Sequence, residues 1–130
     1  MKVHHHIPDS LLALPAHRLH EQLDGPSLFL LPGHAARPLF LSVLLHGNEY
    51  TGWEVVRRLL RQQYEPLQRP LALFIGNVQA ARHRARRLEH QLDYNRCWPG
   101  TLYDDAGCDN EIINLFRKVT DWAREQDILA

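Results

Sequence analysis

Apolar positions gather into three short runs and two stretches of helical period. The runs are Ser27 to Leu31, closed by Pro32-Gly33, then Leu39 to Leu45, then Leu71 to Ile75. Each is apolar at consecutive positions rather than at alternate ones, as in strands buried on both faces of a helix-covered sheet. From Tyr50 to Gln63 the period changes. Trp53, Val56 and Leu60, with Val55 and Leu59, make a helical face, while Arg57, Arg58 and Arg61 point away. A last helix is predicted from about Asn110 to Gln126, with Asp109 as its N-cap and Ile112, Ile113, Leu115, Phe116, Val119 and Trp122 inward. Residues 1–26 read as a polar, partly helical lead-in, its leucines at 11, 12, 14, 19 and 23 interrupted by Pro15 and closed by Gly25-Pro26. Strands alternating with helices predict an α/β domain over residues 27–130, a sheet layered with helices.

Composition narrows the classes. With 130 residues and 45 % hydrophobic content the chain is one domain that buries a real core. Fifteen basic and fifteen acidic side chains cancel, so no global field favours nucleic acid or an anionic membrane. The local run Arg82-His83-Arg84-Ala85-Arg86-Arg87 is basic, yet it lacks the interleaved aromatics of a nucleic-acid surface. No apolar run approaches the roughly 18 residues that span a bilayer. The start "MKVHHHIPDS" has neither the apolar core nor the cleavage site of a signal peptide. Cys97 and Cys108 make neither a disulfide framework nor a CxxC pair, so a reduced, cytoplasmic chain is expected. His4, His5 and His6 are terminal, without neighbours to orient them, and read as accidental rather than metal-binding.

The chemistry begins where the second run ends, in "LLHGNEYTG". His46 and Glu49 stand three residues apart on a turn after a strand. An imidazole nitrogen and a carboxylate so spaced can close on one ion, and suit zinc. Gly47 is expected to let the backbone turn tightly between them. Alone, this pair reads equally well as an exposed polar turn. A second stretch, "GNVQAARHRARRLEHQLDYNRCWPG", follows the third run and ends on Asp93-Tyr94-Asn95-Arg96.

Taken in order, HGNExTG, a strand followed by GNxxA, an arginine and DxNRxxPG resemble the succinylglutamate desuccinylase and aspartoacylase family, within the wider group of zinc carboxypeptidase-like hydrolases. The resemblance spans about residues 39 to 100. It implies a three-layer fold, a mixed sheet flanked by helices, cut short here after the first strands and helices. It implies that His46 and Glu49 are zinc ligands, that Asn95 and Arg96 grip the substrate carboxylate, and that Arg87 steadies the oxyanion. A guanidinium fork fits a carboxylate in two places, and a fixed cation beside a developing oxyanion stabilises it. Asp93 is expected to orient its loop rather than touch substrate. Val78 stands where the family has proline, a change of loop stiffness. The family also places a third zinc ligand, a histidine, on a later strand and a glutamate base later still; neither is present here, and His83 and His90 are not expected to replace them.

The expected activity is therefore zinc-dependent hydrolysis of an amide bond beside a carboxylate, in an acyl-amino acid or at a peptide C-terminus. The alternative is a non-catalytic module that binds a carboxylate or a protein partner. An open sheet edge would favour homo-oligomers.

Overall fold

The computed structural model describes residues 1–63, 65–105 and 110–128. Three five-residue strands carry the fold: β2 (Ser27–Leu31), β3 (Leu39–Val43) and β4 (Leu71–Ile75); a two-residue β1 (Val3–His4) precedes them. Their order is β1-β2-β4-β3. β1 runs parallel to β2 and β3 parallel to β4, whereas β2 and β4 are antiparallel. The sheet is therefore mixed, and helices flank it, as the motifs implied.

Both faces of the central strands are buried, which explains their unbroken apolar runs. On one face Phe29, Leu31, Leu73 and Ile75 meet α1 (Asp9–Leu12), a 3₁₀ helix (Ala16–Glu21), α2 (Thr51–Arg61) and α3 (Val78–Arg82). On the other, Leu28 and Phe74 pack with Tyr94, Cys97, Ile113, Phe116 and Val119. The last three belong to α5 (Glu111–Glu125), while Tyr94 opens a second 3₁₀ helix (Tyr94–Arg96); α4 (Leu102–Asp105) lies between these two helices in the chain. Residues 1–26 share in this structure: Leu11, Leu12, Leu14, Leu19 and Leu23 are all buried in the first cluster, and β1 extends the sheet.

Three details differ from the sequence reading. β3 stops at Val43 rather than Leu45, because Leu44 adopts a left-handed backbone (φ 56) that turns the chain off the sheet. On α2, Trp53 and Val56 are buried but Val55 and Leu59 are exposed, and Arg57 turns inward to bond Glu54 and the carbonyl of Leu12. The inward stripe of this helix is thus narrower than its apolar count. The cap of α5 is Asn110, whose side chain accepts from the Ile112 amide at 2.8 Å; Asp109 and Cys108 lie outside the described residues.

Candidate functional site

Parallel strands β3 and β4 end together, and the loops that follow them meet. The turn 46–50 leaves β3, and Gly76-Asn77 leaves β4. Asn77, itself buried, caps α3 by accepting from the Ala80 amide at 3.0 Å and donates to Gln91 Oε1 at 3.0 Å. Gln91 Oε1 also accepts from the Leu88 amide, so one asparagine ties α3 to the segment leading into Asp93.

The turn rests against the end of α3 so closely that a Cβ on Gly47 would overlap backbone atoms of Ala80, Ala81 and Ala85. Close approach, rather than a special turn conformation, is why glycine is needed there. The Gly47 amide donates to the carbonyl of Arg86 at 3.0 Å, which docks the turn onto the loop after α3.

His46 is 6 % exposed. Its Nε2 lies 2.8 Å from Asp93 Oδ1. An ionised carboxylate only accepts, so Nε2 donates to Asp93, and in the neutral ring Nδ1 then holds the lone pair. Nδ1 lies 3.1 Å from Glu49 Oε1, but the two are misaligned for a hydrogen bond and Nδ1 has no other partner. In that neutral tautomer two acceptors converge, one of them buried and without a hydrogen-bond partner. That costs free energy unless a cation or donor sits between them. The donor set, neutral imidazole plus carboxylate, with the imidazole's far nitrogen held by a second carboxylate, fits zinc. The fit is partial: among the described residues no group of three His, Cys, Asp or Glu side chains gathers to hold an ion.

Asp93 is the hub of the arrangement. Its Oδ1 accepts from His46 and from the Asn95 amide at 3.0 Å, and its Oδ2 lies 3.4 Å from Arg86 Nη2. Burial works to raise its pKa; the bonds from His46, the Asn95 amide and Arg86 outweigh this and leave it below the usual carboxylate range. Asn95 and Arg96 are exposed and lie on the second 3₁₀ helix, which Asp93 caps and Tyr94 opens, in the loop that holds His46. Arg87 is placed differently. Its Nη1 donates to the Gln91 carbonyl at 2.8 Å on the open surface, and of the adjacent pair it is Arg86 that bonds Asp93. His83 and His90 are both exposed, and His90 faces Glu89 at 3.6 Å. Cys97 is buried, donates to the Asp93 carbonyl, and is pushed up to about 11 by burial and then by the Asp93 charge, so it is an unreactive thiol.

The model of the succinylglutamate desuccinylase/aspartoacylase catalytic domain matches residues 35–118, more than half of the chain. The chain belongs to this family. The match to the succinylglutamate desuccinylase/aspartoacylase domain runs from just before β3 into α5, so it includes the 46–50 turn and the Asp93–Arg96 loop. It assigns the chain to a family of hydrolase domains. No curated protein and no solved structure matches the chain. Among the described residues no helix is long and apolar enough to cross a membrane.

Sequence reasoning missed two participants in this constellation, Asp93 and Arg86. It gave Asp93 a loop role only, although an acid two residues before Asn-Arg can cap a 3₁₀ turn with one oxygen and orient a histidine with the same atom. It overlooked Arg86 because counting back from Asp93 cannot choose between adjacent arginines.

Proposed function

We propose that this domain carries the first two zinc ligands and the substrate clamp of a zinc-dependent hydrolase of an amide bond adjacent to a carboxylate, of the N-acyl amino acid deacylase or carboxypeptidase type. No third ligand gathers beside them among the described residues. The observation that carries the reading is the buried, unpartnered Nδ1 of His46 facing the Glu49 carboxylate. His46 and Glu49 would hold the metal, with Asp93 fixing the imidazole. Zinc bound there would supply Lewis acidity, polarising a carbonyl and acidifying bound water. Asn95 and Arg96 would bind the substrate's carboxylate and so fix the scissile bond over the site. Arg87 would stabilise the oxyanion; its neighbour Arg86, already bonded to Asp93, is the competing assignment, and the two are separated by single substitutions.

Zinc titration by calorimetry tests the metal, and a hydrolysis assay on N-acyl amino acids and peptides with free C-termini tests the chemistry. With two converging donors, this 130-residue chain is expected to bind zinc weakly, to lose that binding in His46→Ala, and to show no measurable turnover. Zinc affinity equal in the wild type and His46→Ala sinks the metal reading. Tight zinc with turnover would instead mean that His83, His90 or a second subunit completes the site. The lack of a three-donor group among the described residues also favours a second reading, a carboxylate-binding module without catalysis. It is distinguished by N-acetyl amino acid binding that needs Arg96 but not zinc.

A further inference from the structure

The 46–50 turn has two sides. One presents His46 to Asp93. The other lines a hollow of about 370 Å³ with the first 3₁₀ helix and the end of α3, within the size range of small-molecule sites. Neither His46 nor Glu49 lines it. The base of the hollow is apolar and buried, formed by Ala16 and Ala81, with Pro15 beside them; the exposed ring of Tyr50 stands at the rim.

The polar rim is unbalanced in charge. Glu54 is neutralised by Arg57 at 2.9 Å. Arg84, by contrast, has one side-chain partner among the described residues, the His17 imidazole, with Nη2 3.4 Å from its Nε2. An arginine facing an imidazole and no carboxylate leaves an uncompensated cation at the mouth of an apolar hollow. Its backbone is unusual too. Arg84 occupies a left-handed position (φ 53) just beyond α3, with its amide on the Ala81 carbonyl and the Ala85 amide on the Ala80 carbonyl. Glycine ordinarily fills that place in a helix terminus of this form, since a Cβ is strained there. The chain carries an arginine where glycine would be easier, and that arginine lines the hollow.

We infer that this hollow is a second ligand site, distinct from the His46–Glu49 centre, that binds a small carboxylate with an apolar body. The carboxylate pairs with Arg84 beside His17, and the aliphatic or aromatic part lies on Ala16, Ala81 and Tyr50. Gly47 and Asn48 belong to both sides of the turn, so an occupant would be sensed next to His46.

Amide chemical-shift titration with benzoate tests this, with inorganic phosphate and benzyl alcohol as probes of the anion and the body alone. Saturable benzoate shifts are expected at Ala16, Gly47, Asn48 and Ala81, with both partial probes binding at least tenfold more weakly. Arg84→Gly relieves the left-handed strain, so the fold persists, and it should weaken benzoate at least tenfold. Arg84→Lys should retain part of the affinity. Zinc binding by Arg84→Gly should match wild type, which separates this site from the proposed metal centre. No saturable shifts, unchanged affinity in Arg84→Gly, or phosphate binding as well as benzoate overturns the inference. Shifts centred on Asn95 and Arg96 also overturn it, and would support the substrate clamp instead.

Discussion

The His46 imidazole takes its direction from Asp93, 47 positions away in the chain. Substituting Asp93→Ala leaves a buried N–H without an acceptor, a loss expected to cost about 1–3 kcal/mol in urea unfolding. It also frees the ring to rotate, and zinc affinity by calorimetry should fall about 10- to 100-fold, the usual scale for removing a residue that orients a metal-binding histidine. Equal zinc affinity in Asp93→Ala would remove Asp93 from the site. At this scale the sequence is legible where partners are near in the chain. His46 and Glu49, three apart after an apolar run, could be paired by eye. Asp93 could not, because its partner arrives through a different loop. Gly47 was legible as necessary but for the wrong reason: a close approach to α3 leaves no trace in local sequence.

Elements were readable to the extent that local chemistry delimits them. β2 and β4 match their apolar runs residue for residue, since Pro32-Gly33 and Pro70 bracket them. β3 was read as Leu39 to Leu45, two residues too long, because nothing in a leucine's chemistry announces the left-handed turn at Leu44. β1 is two residues that become a strand only by pairing with β2. The Gly76-Asn77 pair was noticed as part of a motif, whereas its structural work is the capping of α3 and the tether to Gln91. Asn77→Ala removes both, and the protein is expected to lose about 2 kcal/mol of stability by denaturant titration. A loss below about 0.5 kcal/mol would show that the tether is slack.

At the scale of the whole molecule, the sheet separates two apolar clusters, and the one beneath α5 includes two buried ionisable groups among the described residues, Tyr94 and Cys97. Burial pushes Cys97 from 9.0 up to about 11; for Tyr94, burial with the neighbouring Cys97 and Glu111 charges raises it from 10.0 to about 12. Both protons are held more tightly in the folded chain. Their contribution is intact below about pH 9 and is lost as pH climbs through 9 to 12, by up to about 2 kcal/mol for each group. Unfolding followed by tyrosine absorbance at stepped alkaline pH should show stability declining over that window. In Tyr94→Phe the decline above pH 10 should shrink; an unchanged profile would place the sensitivity elsewhere.

The register of β3 carries a consequence for its amide protons. Leu39 pairs with Leu71 and donates to the Pro70 carbonyl, while Val43 accepts from Gly76, so Leu39, Leu41 and Val43 direct their backbone bonds to β4. In a parallel pair the intervening residues face the other way, and for Phe40 and Ser42 that way is the open edge. Deuterium exchange should therefore alternate along one strand, slow at Leu41 and fast at its two neighbours. If copies of the chain add edge to edge beside the exposed Leu39 and Leu41, protection at Phe40 and Ser42 will rise with protein concentration while Leu41 stays constant. Exchange that ignores concentration marks the edge as one that meets only water.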